Sequence, residues 1–211
     1  MKKIILIILT VTGINFTGTA QEFGFQKGNV LVEGTLQASS QEGGMENYEK
    51  QSSFGFEPKV SYFLTDKWAV GLTAGIGNSK YEPKEGASEL QMDSKYNTVG
   101  VFGRYYFLDI GSRFKTFAEL NADLRNVKLE NNSDYDIEIG DIREYHVRGG
   151  IGANFFLTKN ISIAYTLTNL FGYRSSKWDS PVDVSTQYFH MNVNTFQNIF
   201  DNGTFSLAFK F

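Results

Sequence analysis

In eight separate stretches of this 211-residue chain, side chains alternate in character at every second position. A period of two places alternate side chains on opposite faces of an extended strand. Val30, Val32, Gly34, Leu36 and Ala38 form the first such row, and Phe54, Phe56, Pro58, Val60, Tyr62 and Leu64 the second. Trp68 to Ile76, Val99 to Phe107 and Ala118 to Leu124 continue the pattern. Tyr145 to Phe155, Ile161 to Leu167 and Phe205 to Phe211 complete it. The rows between hold mostly glycines, hydroxyls, amides and charges, with Leu31, Phe63, Ala69, Phe102 and Phe117 among them. An apolar face eight strands wide must be covered by a second layer or by lipid.

The chain begins with Lys2 and Lys3, then a mostly apolar run from Ile4 to Ile14, then Gly18-Thr19-Ala20. A short positive segment, an apolar segment and small residues make a secretory signal peptide. The apolar run is shorter than the roughly 18–20 residues a helical span needs. Residues 1–20 are therefore expected to be cleaved, leaving 21–211 as one domain. No later segment has helix-spanning length, but strands of a barrel escape hydropathy plots because their faces alternate. Eight strands, an even number, close an antiparallel barrel with both termini on one side. The expected fold is all-β: an eight-stranded antiparallel transmembrane β-barrel. Pro58 stands inside the second strand, where it cannot donate to a ladder, so a bulge is expected there.

The connections support the same reading. Links at 65–67 and 158–160 are short, and 108–113 is a third of six residues. The stretches 39–53, 78–95, 126–142 and roughly 172–202 read as long polar loops, although Phe189-His190-Met191-Asn192-Val193 also suits a strand. Short turns at one end and long loops at the other are a mark of outer-membrane barrels. Fifteen per cent of residues are aromatic. Tyr62, Trp68, Tyr105, Phe107, Phe114, Phe155, Phe209 and Phe211 all fall beside the short turns or the C-terminus, as an interfacial girdle would.

Several segments resemble the outer membrane β-barrel protein family, small eight-stranded barrels often described as porin-like. They are Lys27-Gly28-Asn29-Val30-Leu31-Val32 with Gly34, Pro58 to Gly71, Val101 to Phe107, and Phe117 to Leu120. The terminal row Phe205, Leu207, Phe209 and Phe211 resembles the signal read by the barrel-assembly machinery. The resemblance implies an outer-membrane location in a Gram-negative-type bacterium and contact with outer-membrane lipid. It implies no shared catalytic motif. Some members of the family are regarded as adhesive or protective surface proteins.

On this register the inward face carries Glu33, Glu57, Glu119 and Asp123 against Lys59, Arg104, Arg125, Arg148 and Lys210. Buried charges must pair or cost several kcal/mol each. A near-balanced set therefore predicts a cross-strand ion-pair network, with Arg104 and Glu119 of neighbouring strands in it. An eight-stranded barrel is just wide enough for side chains to fill. The expected lumen is plugged.

The remaining chemistry is sparse. Formal charge is −3 and there is no cysteine, which excludes nucleic acid as the main partner and any thiol chemistry. His146 and His190 are the only histidines. His146 falls on the inward face and reads as a hydrogen-bonded interior residue. His190 with Ser185 and Asp183 has the composition of a hydrolytic triad, but spacing alone cannot assemble one. Asp134, Asp136, Glu138 and Asp141 lack the glycine of a calcium loop, with Ile139 in its place, and read as a solvated strand face. Gly149-Gly150-Ile151-Gly152 lacks the βαβ context of a phosphate loop. No catalytic residue, cofactor or metal is expected. A monomeric barrel acting through its external loops on an extracellular partner is the first expectation. A narrow channel or small-solute binder is the second, and a lipid-modifying enzyme a distant third. Trp178, Tyr188, Phe189 and Phe196 are the loop aromatics available for contact.

Overall fold

A computed structural model describes residues 23–42, 48–83, 92–131, 141–178, 185–192 and 203–211. The signal-peptide segment, Asp134 to Glu138, Asp183 and Phe196 lie outside the described residues. The strands are β1 (Val30–Glu42), β2 (Tyr48–Phe63), β3 (Trp68–Pro83), β4 (Met92–Ile110) and β5 (Phe114–Asn131). β6 (Ile142–Phe156), β7 (Ile161–Trp178), β8 (Ser185–Met191) and β9 (Gly203–Lys210) follow. All pairings are antiparallel, running from β1 to β7 in chain order and closing through β7–β9 and β9–β1.

Among the described residues the barrel thus has eight wall positions but nine strands. β9 covers the lower half of β7, Ile161 to Leu167, and β8 covers the upper half, Phe171 to Lys177. Both run in the same direction against β7, so together they fill the eighth position. The segment at Phe189 to Met191 is strand, as its alternation allowed.

The strands are longer than their apolar alternation. Where they are described, the stretches read as loops are mostly strand: β1 reaches Glu42, β3 reaches Pro83 and β4 starts at Met92. Above the membrane both faces of a strand are wet, so pairing continues without apolar alternation. The hydroxyls of Ser39 and Ser53, 2.7 Å apart, illustrate such a polar cross-strand pair. The third short link is also tighter than expected. β4 runs on to Ile110, and Gly111 at φ +63° opens a three-residue turn to Phe114. The extra length of β4 is absorbed by a bulge at Phe107, between Tyr106↔Phe117 and Leu108↔Thr116.

Pro58 makes no bulge. The β1–β2 register passes unbroken through Gly34↔Pro58. On the other side, pairing with β3 lapses at Glu57 and Pro58 and resumes unshifted at Lys59↔Thr73. The missing N–H therefore costs a ladder bond without inserting a residue.

The outward face is an apolar band. On β5 it runs from Phe114 to Leu124 with only Thr116 interrupting. Ten residue steps at ~3.3 Å, tilted by ~40°, give a band ~25 Å tall, the height of an outer-membrane barrel. Leu36, Leu72, Ile76, Val99, Val101 and Leu120 are exposed within it. Below lie the tilted ring pairs Trp68–Tyr105, 4.6 Å between centroids, and Phe114–Phe155, 4.7 Å. Above lie Phe54, Tyr145, Tyr173 and Phe189, all exposed. Two aromatic girdles flanking an apolar band place this barrel across a membrane.

Inside, strand glycines make room for rings. A Cβ on Gly71 would meet the Phe102 ring and the Val60 carbonyl, and one on Gly152 would meet the Phe117 ring and the Tyr165 carbonyl.

Candidate functional site

The lumen is built in layers from the periplasmic end upward. The lowest layer is aromatic. Residues 23–29 precede β1 and turn into the barrel mouth, with Gly28 at φ +92°. The Gly28 N–H donates to the Phe63 carbonyl at 2.9 Å, and the Lys27 N–H donates to Asp66 at 2.7 Å. These bonds aim Phe25 inward. Its ring stacks on Phe63 at 4.4 Å and meets Tyr106 at 4.6 Å and Phe156 at 5.1 Å. Phe23 reaches Phe156 at 6.3 Å, under the Arg113 guanidinium at 4.6 Å. The Lys210 ammonium donates to the Gly24 carbonyl at 2.6 Å, tying the last strand to this plug. The alternation of the strands gave no sign of the plug, because residues 23–29 have none.

The next layer is ionic. Arg104 is 1% exposed. Its Nε and Nη2 donate to Oε2 of Glu119 at 2.9 and 2.5 Å. Nη1 donates to Oε1 of Glu33 at 3.1 Å, and Nη2 lies 3.0 Å from Oε2 of Glu33. The Lys59 ammonium donates to the remaining oxygen of Glu119 at 2.9 Å and lies 3.7 Å from Glu57. The layer continues through neutral groups: the Tyr106 hydroxyl donates to Asn154 at 3.0 Å, and Asn154 donates to Ser162 at 3.2 Å. The guanidinium also lies over the Phe117 ring at 4.0 Å. Two carboxylates and two cations balance one another's charge where water is scarce, and Oε2 of Glu33 is held by the ion-pair contact with Arg104 alone, without a hydrogen bond.

A second cluster stands four residues further up β5. Asp123 accepts from Arg148 at 2.6 Å and lies 3.2 Å from Nδ1 of His146. Nε2 of His146 lies 3.4 Å from Glu144, which accepts from Ser176 at 3.1 Å. Glu144 escaped the sequence reading because it lies beyond the alternating part of β6. The parity of His146 identifies it as an inward neighbour. Between the clusters is a polar cavity of about 80 Å³, bordered by Thr35, Lys59, Asn121, Arg148, Thr166 and Ser206.

The inward charges thus form two clusters rather than one network. Glu33, Glu57, Lys59, Arg104 and Glu119 meet in the first, and Asp123 and Arg148 in the second. Arg125 and Lys210 join neither. Arg125 stacks 3.8 Å over the Tyr96 ring, a diagonal neighbour within reach of its long stem. Lys210 lies at the mouth, level with the plug, where a backbone carbonyl is its acceptor. Phe205, Leu207, Phe209 and Phe211 alternate with the inward residues of the last strand, and Phe205, Leu207 and Phe211 are exposed on its outer face.

Ser185 and His190 share β8 but differ in parity. Five steps at ~3.3 Å separate them along the strand, and they face opposite ways. His190 stacks on Tyr188 at 5.6 Å, above Gly172. These two residues do not make a nucleophile–base pair.

No family model matches the chain, and no curated protein matches it. Solved structures are similar in fold. The N-terminal β-barrel domain of OprF from Pseudomonas aeruginosa is 13% identical over 88% of this chain and 98% of that one, with a TM-score of 0.47. The outer membrane protein OprG from the same organism is 13% identical over 89% and 98%, with a TM-score of 0.49. Ail, the attachment invasion locus protein of Yersinia pestis, is 18% identical over 88% and 100%, with a TM-score of 0.42. The likeness is one of fold alone. Strand count, closure and girdles rest on this chain's own register.

Proposed function

We propose that this small eight-stranded outer-membrane β-barrel is a closed scaffold, which holds a polar strand collar and its connecting loops at the cell surface for interaction. The observation that supports this reading is Phe25 packed against three rings, with Arg104 between Glu33 and Glu119 in the layer above. A permeation path would have to part a buried ion cluster, at several kcal/mol per separated charge. Interior side chains that hold the fold leave the outward collar for recognition. β4 extends from Val99 to Met92 above the apolar band, ~23 Å along the strand. In this reading the chain has no catalytic role.

The solute-binding alternative has the 80 Å³ polar cavity in its favour. That volume suits a few bound waters better than an organic solute. Planar-bilayer recording from the pure folded chain tests the scaffold. The expected record is a quiet membrane; a stable, large single-channel conductance overturns the reading.

A further inference from the structure

Above Thr35 the wall splits. β1 pairs with β9 only from Leu31 to Thr35. β9 continues against β7 as far as Gly203, so β1 parts from it at Leu36 while Phe205, Thr204 and Gly203 keep their other neighbour. Higher up, β8 pairs with β7. Among the described residues no strand pairs with β8 on its other side, nor with Leu36 to Glu42 on the side of β1 away from β2. The two edges face one gap.

Burial marks the same split. Leu31, Glu33 and Thr35 are buried on the inward parity of β1, and Gln37, Ser39 and Gln41 continue that parity but are exposed. All of β8 is exposed except His190, which is half-buried. The backbone groups that open into the gap follow from the ladder. Val30 and Phe211 exchange N–H···O bonds in both directions, at 3.0 and 2.8 Å. Every second residue of an antiparallel strand bonds the same neighbour. Leu36, Ala38, Ser40 and Glu42 therefore turn their N–H and C=O into the gap, while Gln37, Ser39 and Gln41 bond β2. On the far side the Asn192 N–H donates to the Leu170 carbonyl of β7 at 2.9 Å. By the same alternation, Met191, Phe189, Gln187 and Ser185 turn theirs toward β1.

Neither edge is blunted. Exposed edges are commonly protected by charge, proline or a bulge. Leu36 to Gln41 holds no charge and no proline, and its register with β2 is unshifted. Ser185–Met191 holds no proline and no Lys, Arg, Asp or Glu. The foot of the gap lies at the membrane, because Leu36 belongs to the apolar band and Phe189 to the upper girdle. Backbone groups there have little water to bond, so an open edge is costly.

We propose that this gap takes up an extended peptide segment of an extracellular partner, added as a strand between β1 and β8. Another extended backbone supplies donors and acceptors at the spacing of these edges. Two edges of one barrel flank the gap, which admits a single extended segment but not the wall of a second folded barrel. Phe189 and Met191 stand exposed on its outer side, and Gln37 and Ser39 on its inner side. The segment that fits is uncharged, with apolar side chains outward alternating with hydroxyl or amide side chains inward. The proposal rests on the surface-interaction reading above and names how the partner is held, yet it can fail while bilayer recordings stay quiet.

The test uses the folded chain in bilayer nanodiscs. The probe is a peptide of alternating Thr and Val, about eight residues long. Amide hydrogen exchange is followed by NMR. Without peptide, the amides of Leu36, Ala38 and Ser40 should exchange fast and those of Gln37, Ser39 and Gln41 slowly. Peptide should slow the first set by roughly tenfold or more and leave the second set unchanged. A copy of the peptide N-methylated at every second residue has no donors toward one edge and should bind on the order of tenfold more weakly. Ala38→Pro removes a donor from the gap without touching the β2 ladder, and should weaken binding in the same way. Ser40→Ala keeps its N–H and should not. A heat-shift gel establishes that each variant is folded; the N-methylated copy needs no variant and decides the question should Ala38→Pro fail it. No slowing at millimolar peptide overturns the site, and so does equal binding of the N-methylated copy. Slow exchange at Leu36, Ala38 and Ser40 in the free chain at every protein concentration would mean that the chain fills its own gap. Slow exchange that appears only as protein concentration rises would mean that a second copy fills it. Either result overturns the partner assignment.

Discussion

Arg104 of β4 and Glu119 of β5 stand directly opposite one another, and one carboxylate oxygen of Glu119 accepts from both Nε and Nη2 of the guanidinium. The other oxygen takes Lys59. No water is needed to satisfy either partner, which is why so costly a pair can sit at the centre of the lumen.

Arg104→Met removes the cation, strands Glu33 and leaves Glu119 with Lys59 alone. A loss of about 3–5 kcal/mol is expected, as for other buried pairs broken on one side. Replacing all three together, by E33L, R104M and E119L, should recover much of it. Urea unfolding in detergent measures both; a single variant as stable as the wild type would show that the cluster contributes nothing.

Phe25→Ala empties the centre of the aromatic plug. The expected cost is about 3 kcal/mol, in the range of large-to-small changes in a packed core. On the closed-scaffold proposal, bilayer recordings of this variant should stay quiet, because the Arg104 layer above is untouched. Onset of large conductance would mean that the plug alone is the barrier.

Gly152→Ala and Gly71→Ala push a methyl against the Phe117 and Phe102 rings and against backbone carbonyls. Overpacking of this kind costs about 1–3 kcal/mol. Gly103, where an added methyl would meet nothing within 4 Å, is the control. Its alanine variant should stay within about 0.5 kcal/mol of wild type. The difference between the two kinds of glycine is the quantity to measure.

Leu72→Arg sets a charge near the middle of the apolar band. Unfolding from lipid bilayers should show a loss of about 2–4 kcal/mol, against roughly 0–1 for Asn126→Arg above the band. Equal effects at the two sites would misplace the membrane.

Pro58→Ala supplies the donor that β2 lacks toward β3. The expected gain is on the order of 1 kcal/mol, one ladder hydrogen bond, with a protected, slowly exchanging amide newly present at residue 58 as the direct readout.

Alternation alone was enough to identify the eight wall positions, their two faces and the side of the short turns. It carried that much because lipid demands an unbroken apolar face and a narrow lumen demands the opposite one. Parity likewise told which charges point inward, Glu33 and Arg104 among them. It could not tell which would meet. Glu33 and Arg104 are 71 residues apart in the chain and touch only because the barrel closes across its diameter. The same holds for Phe25, whose segment has no period and is placed by the rings waiting for it, and for the strand lengths above the membrane, where hydrogen bonding continues after the apolar pattern has stopped. Local period set the wall; closure, stagger and tertiary contact decided what fills it, split the inward charges into two clusters, and left Arg125 and Lys210 outside both.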